Sequence, residues 1–240
     1  MIDTVNEPMT EAAPSTSRTA GSQTLARGLE VLRLVAGTPA GLGVNEVAEH
    51  AGIHRTGAYR LLNTLCDAQM LHRGADGRYR GAAGLLSLSA SAYHALLAAA
   101  EPVLRRYADE LGATLALIVR EGDEAIALRV TAPTSGTYHV SFAEASRHPL
   151  DLGAAGHAIL ASEPARPGED PRVAAARTAG FAQTFGEVEP GMHGVAVPLE
   201  GSICGVPACL NLITVRRDQA ASAITTLQQA ARTLEASLAA

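Results

Sequence analysis

Apolar residues recur at helical spacing in two short runs of the N-terminal third. Val44, Val47, Ala48 and Ala51 fall at i, i+3, i+4 and i+7, and Ala58, Leu61, Leu62 and Leu65 repeat that spacing. Each set therefore lies on one face of a helix. Between the runs stands Ala51-Gly52-Ile53-His54, a tight glycine-containing turn. At about 100° per residue, Arg55, Thr56, Tyr59, Arg60 and Asn63 lie opposite the apolar stripe of the second helix. Two amphipathic helices joined in this way form a helix-turn-helix pattern. Two readings fit it: a helix that enters a DNA major groove with its N-terminal residues against the bases, or an ordinary helical hairpin with a solvated polar face. The next stretch favours the first. Met70-Leu71-His72-Arg73, a tip of Gly74-Ala75-Asp76-Gly77, and Arg78-Tyr79-Arg80 predict a β-hairpin. A hairpin directly after a reading helix is a wing, which would put Arg73, Arg78 and Arg80 beside the phosphate backbone. Upstream, Leu25, Leu29, Leu32 and Ala36 mark a supporting helix, ended by Gly37-Thr38-Pro39-Ala40-Gly41.

The pattern changes after the wing. Leu85, Leu88, Ala92 and Leu96 predict a helix over residues 84–100. Pro102 suits the first turn of another helix, which runs to Leu111 and stops at Gly112. Two apolar runs, Leu115 to Arg120 and Ala125 to Val130, flank Gly122-Asp123 and read as a hairpin. Further strands are expected at Thr137 to Phe142, Val195 to Leu199 and Ala208 to Val215, with helices at Gly156 to Ser162 and Pro171 to Ala179. A last helix is expected after Asp218 as N-cap, with Ile224, Leu227, Ala231, Leu234 and Leu238 on its stripe. Strands gathered with flanking helices make this half an α+β domain.

Composition narrows the functions. The chain has 240 residues, 47% hydrophobic, ample for more than one core. No apolar run reaches the roughly 18 residues of a membrane span, and the first residues lack the pattern of a secretory signal, so a cytoplasmic protein without membrane contact is expected. Cys66, Cys204 and Cys209 form no even framework and lack metal-site spacing with a histidine, which predicts free thiols and no metal or cofactor. Tryptophan is absent and aromatics reach only 3%, against stacking on single-stranded nucleic acid. The net charge of −5 speaks against nucleic acid until it is divided: residues 24–80 carry seven Arg against five acids, and residues 81–240 eleven Arg against sixteen acids. Only the segment with the reading helix is basic. Residues 1–22, rich in Thr, Ser, Pro, Glu and Ala, are expected to form a disordered acidic arm.

Residues 24–88 resemble the winged helix-turn-helix of the isocitrate lyase regulator (IclR) family of bacterial transcription factors. The resemblance rests on Thr24-Leu25-Ala26-Arg27-Gly28-Leu29, Glu46-Val47-Ala48, Gly52-Ile53, Tyr59-Arg60-Leu61-Leu62-Asn63-Thr64-Leu65 and Gly77-Arg78-Tyr79, and it continues to the C-terminus. It implies an arm over residues 1–22, a winged helix-turn-helix over 23–82, a linker helix over 83–100 that carries dimer contacts, and a GAF-like effector-binding domain over 101–240. A plain connecting helix is the alternative for the linker. One departure stands in the reading helix, where the family has a Ser-Thr pair and this chain has His54-Arg55-Thr56-Gly57. A helical Gly costs about 1 kcal/mol against Ala, and it admits close approach to DNA.

In the second half, Pro149-Leu150-Asp151-Leu152-Gly153-Ala154-Ala155-Gly156-His157-Ala158 matches the family's Pro-Leu segment and helix start. The small side chains expose the N–H groups of Ala154, Ala155 and Gly156 at a helix N-terminus, which suits a carboxylate ligand; close packing is the alternative. His157 stands where the family has Lys or Arg. Glu187 and Glu189 lie in a loop that the resemblance assigns to the pocket, as hydroxyl partners or as solvated acids. Cys209 and Asn211 share a strand face, and an inward Asn wants a partner. His139, His148, His157 and His193 are scattered, with no triad spacing, phosphate loop or metal cluster. Three functions remain: a DNA-binding regulator controlled by a small carboxylate, a DNA-binding protein whose second domain only oligomerises, and a small-molecule enzyme. The sequence favours the first, acting on double-stranded operator DNA as a homodimer or homotetramer. Its DNA contacts would be Arg55, Thr56, Tyr59, Arg60, Asn63, Arg73 and Arg78, with no catalytic residue.

Overall fold

The structure, a computed structural model, describes residues 21–91, 93–135, 142–200 and 205–239. It divides between residues 91 and 92 into two compact units.

In the first unit, helix α1 (Gln23–Ala36) is capped by Ser22, whose Oγ accepts from the Leu25 N–H at 3.3 Å. Helices α2 (Val44–His50) and α3 (Arg55–Asp67) follow, joined through Gly52 at φ +60°. That left-handed turn is nearly free of cost only for glycine. Strands β1 (Leu71–Arg73) and β2 (Tyr79–Gly81) pair antiparallel, and Leu42 adds a bridge to Tyr79 on the outer side. Val31, Val35, Val47, Ala58, Leu62, Leu71 and Tyr79 close one core. Fully burying a Val or Leu contributes roughly 1.5–3 kcal/mol, so this stripe holds three short helices that would be marginal alone.

The helix expected over residues 84–100 is two helices. α4 (Gly84–Ser91) ends the first unit, Tyr93 turns left-handed at φ +54°, and α5 (His94–Leu111) begins the second. Pro102 is inside α5 rather than at its start. Leu96, Ala100, Val103, Leu104, Tyr107 and Ala108 form one buried stripe through it. A mid-helix proline costs about 3 kcal/mol, less than that stripe gains by staying continuous.

The second unit is built on a six-stranded antiparallel sheet. Its strands are β3 (Thr114–Glu121), β4 (Glu124–Thr131), β5 (Arg147–Pro149), β6 (Ala182–Phe185), β7 (His193–Pro198) and β8 (Ala208–Thr214), in the order β5-β4-β3-β8-β7-β6. β3 and β4 form the expected hairpin around Gly122, at φ +63°. β5 and β6 are edge strands of three and four residues, too short for a periodic signal, and Pro149 is tolerated because β5 is an edge. The strand expected at 137–142 falls outside the described residues except for Phe142, which is in no strand.

The two faces of the sheet differ. Leu115, Leu117, Val119, Val195, Val197, Leu210 and Leu212 pack with α5, α8 (Arg217–Ser222) and α9 (Ile224–Ala239). Ala116, Ile118, Ala125, Ala127, Ala196 and Cys209 pack with α6 (Gly153–Ser162) and α7 (Pro171–Ala179). Large side chains fill the first face; the second carries mostly alanines. The last helix is also divided: α8 is capped by Arg216 rather than Asp218, which lies in the first turn and pairs with Arg216 at 2.6 Å. Cys66 and Cys209 are free thiols.

Candidate functional site

Helix α3 buries Ala58 and Leu62 and leaves Arg55, Thr56, Tyr59 and Arg60 exposed, with Asn63 half-buried. Neither the Arg55 nor the Arg60 guanidinium has a hydrogen bond or ion pair within the described residues. Gly57 lies in the first turn, and a Cβ built on it meets nothing within 4 Å. Nothing inside the fold therefore requires glycine there. Gly57→Ala should stabilise the first unit by roughly 0.5–1 kcal/mol, read as a higher urea midpoint. An unchanged or lower midpoint would mean that an internal constraint has been overlooked.

The wing arginines differ from the expectation that all three face phosphate. Arg78 donates from Nε to the Gly41 carbonyl at 3.1 Å and from a terminal nitrogen to Glu46 at 2.9 Å. Glu46 in turn accepts from the Gly43 N–H at 2.7 Å, capping α2. The Gly43 and Arg78 hydrogen bonds hold the Glu46 carboxyl below the usual carboxylate range. Arg80 clamps both carboxylate oxygens of Asp76, at 3.1 and 2.7 Å, and also reaches the Ala40 carbonyl. These two arginines fasten the wing to its own domain. Arg73 is exposed, lies over the Tyr79 ring at 5.7 Å and makes one long bond to the Gly77 carbonyl, 3.4 Å. Removing one phosphate contact lowers the slope of log affinity against log salt by about one. That drop is expected for Arg73→Ala, and a smaller one for Arg78→Ala, whose charge already faces Glu46. Equal drops in a salt titration would return Arg78 to the phosphate contacts.

The alanine face of the sheet leaves a cavity of about 370 Å³ beneath the start of α6. Its buried part includes Ile118, Ala127, Ala154, Ala155 and Asn211. Arg147, Glu187, Val188 and Glu189 line it nearer the surface. Asn211 on β8 stands between Ala116 on β3 and Ala196 on β7. It is 7% exposed, and its buried Oδ1 meets no donor among the described residues.

Two of the six expected effector residues stand outside this lining. A Cβ on Gly156 would lie 2.2 Å from the Leu150 carbonyl oxygen, so that glycine serves the packing of α6 on the preceding segment. Cys209 is fully buried behind Ala155, donating weakly to its carbonyl at 3.7 Å, and burial pushes its thiol pKa up. The α6 N-terminus also differs from expectation. Glu187 Oε2 accepts from the Gly153 N–H at 2.9 Å, and Oε1 accepts from Arg172 at 2.8 Å. Arg172 also forks onto Asp170, holding that carboxyl at about 2. Buried His157 lies 3.9 Å from Glu187 and 3.2 Å from the Asp151 carbonyl. The terminus thus carries the protein's own carboxylate.

The sequence did not single out Phe142, Arg147, Thr184, Met192 or Gly194 as lining residues. Gly194 lies just before the strand expected from Val195 and inside the observed β7; a Cβ there would stand 3.3 Å from both Ala154 and Thr184. Among the described residues no group of His, Cys, Asp and Glu could hold a metal, and no helix is long and apolar enough to cross a membrane.

Residues 24–74 match the family model of the IclR helix-turn-helix domain. A helix-turn-helix-type transcriptional regulator of Mycobacterium tuberculosis is 32% identical over 149 residues, 62% of this chain and 57% of the relative. Residues 24–74 thus carry an IclR-type helix-turn-helix, and the chain is similar to proteins named as transcriptional regulators. The DNA-binding transcriptional repressor YiaJ of Escherichia coli is 29% identical, over 63% of this chain and 55% of its own. The transcriptional regulator TtgV of Pseudomonas putida is 27% identical, over 85% and 82%. The chain thus spans just over half the length of the first two of these relatives, and all three are named as transcriptional regulators or repressors. An IclR homologue of Microbacterium hydrocarbonoxydans, solved with 4-hydroxybenzoate, has the same fold: TM-score 0.76 at 23% identity, covering 90% of this chain and 99% of that one. The IclR of Thermotoga maritima superposes with TM-score 0.68 at 21% identity, over 92% and 100%.

Proposed function

We propose that this protein is a sequence-specific DNA-binding transcriptional regulator whose second unit senses a small organic molecule. The observation that carries the DNA reading is the outward face of α3, with Arg55 and Arg60 unengaged above a core sealed by Ala58 and Leu62. Arg55, Thr56, Tyr59, Arg60 and Asn63 would read or flank bases, and Arg73 would contact phosphate. A pseudo-palindromic operator needs two such helices at fixed spacing, so the working form is a homodimer or homotetramer. Leu25 and Leu29, one turn apart on α1 and 63% and 43% exposed, support association.

The cavity favours an effector over a second unit that only oligomerises. At about 370 Å³ it falls within the roughly 300–1,000 Å³ range of small-molecule sites. The 4-hydroxybenzoate held by the Microbacterium homologue supports a small organic ligand. The sequence argument for an acid rested on free N–H groups at the start of α6, and Glu187 now stands there. The test is binding to DNA from upstream of its own gene, with and without candidate ligands. A regulator of this kind should show an effector-dependent affinity change of about 5–150-fold. Ala155→Leu should abolish the response and leave ligand-free DNA binding unchanged; a normally responsive Leu variant would remove the cavity from the mechanism.

A further inference from the structure

The chemistry of the cavity narrows the class of effector, and this step rests on the cavity being the effector site. We propose that it takes an uncharged molecule whose inner end carries an O–H or N–H donor, rather than a carboxylate. Three observations converge. First, the α6 N-terminus is already capped by Glu187, so an incoming anion would sit beside a carboxylate competing for the same end of the helix. Glu189 adds a second acid to the lining.

Second, no unengaged cation stands among the described lining residues to offset these acids. Arg147 pairs with Glu124 at 2.9 Å, and His148 Nδ1 donates to the Pro149 carbonyl at 2.9 Å. Arg172, which neutralises Glu187, is shared with Asp170 and does not line the cavity.

Third, the orphaned group is an acceptor. Asn211 Oδ1 is buried and meets no donor among the described residues, and both its cross-strand neighbours are alanine. An ionised carboxylate has only acceptors and leaves that oxygen unsatisfied. A hydroxyl, amide or ring N–H satisfies it, while Ile118, Ala127, Ala154 and Ala155 hold an apolar body.

The test is calorimetry on the full chain with benzyl alcohol, benzoate and benzyl methyl ether at up to millimolar concentration. These probes share a ring and differ in donor and charge. Benzyl alcohol should bind about tenfold or more tighter than either of the others. Asn211→Ala should remove its advantage over the ether, and Glu189→Gln should strengthen benzoate. Benzoate binding tightest, and lost in Ala155→Leu, would overturn the proposed class while keeping the cavity as the effector site. Alcohol and ether binding alike would overturn the role of Asn211. Binding of none of the three would count against both the class and the site.

Discussion

Gly156→Ala is expected to destabilise the second unit by roughly 3 kcal/mol, the upper end of the usual overpacking cost. Glycine to alanine within a helix ordinarily stabilises by about 0.5–1 kcal/mol, as expected for Gly57 in α3, where a Cβ meets open space. At Gly156 the added atom would stand 2.2 Å from the Leu150 carbonyl oxygen, 2.8 Å from its carbon and 3.1 Å from its Cα. All three are backbone atoms, so no rotamer change relieves the clash. Either α6 lifts away or the segment holding Leu150 shifts, and Leu150 is itself 6% exposed in the core beneath the helix. Ala154 and Ala155, two and one residues earlier on the same helix, would move with it, so ligand binding should fall as well. Urea unfolding of the two variants side by side checks this: the midpoint should rise for Gly57→Ala and fall for Gly156→Ala. A Gly156→Ala protein as stable as the parent would show that α6 is not packed as described.

What the sequence revealed follows the range over which the signals act. Helices α2 and α3 were legible because Val44, Val47, Ala58, Leu62 and their companions repeat within a few residues of one another. The β3–β4 hairpin was legible because Gly122-Asp123 sits directly between its strands. Partnerships between distant residues were not. Arg78 meets Glu46 across 32 positions, and Gly153 meets Glu187 across 34. In the sequence Arg78, Glu46 and Glu187 are only charges, and nothing local says which charge is taken. The break at Tyr93 was missed because apolar residues continue through it, although Leu86 and Leu88 before it are exposed while Leu96 and Ala100 after it are buried. The cavity was half legible. Small residues at Ala154 and Ala155 and a polar Asn211 in an apolar strand pointed to it. Arg147 and Thr184 arrive from the short edge strands β5 and β6, whose pairing is set by the rest of the sheet.

Replacing both Arg55 and Arg60 by alanine is expected to remove most of the specific DNA affinity, while leaving the fold unchanged. Along α3, Arg55 and Tyr59 are one turn apart on one line, and Thr56, Arg60 and Asn63 continue a second line about 100° around the helix. The arginines thus stand on separate rows at the edges of one outward face and would reach different base pairs. A guanidinium bidentate to guanine is worth about 1–3 kcal/mol of discrimination, and well-separated contacts add. The double variant should therefore lose about 2–6 kcal/mol per α3 on its own upstream DNA. On scrambled DNA of equal length, the loss should be smaller and follow the salt dependence of two fewer phosphate-facing charges. Because both side chains are exposed and make no bond within the described residues, the unfolding midpoint should not move. Fluorescence anisotropy on the two DNAs at matched salt measures both losses. An unchanged gap between upstream and scrambled DNA would mean that α3 does not read the sequence, and the regulator would have to recognise its site through another element.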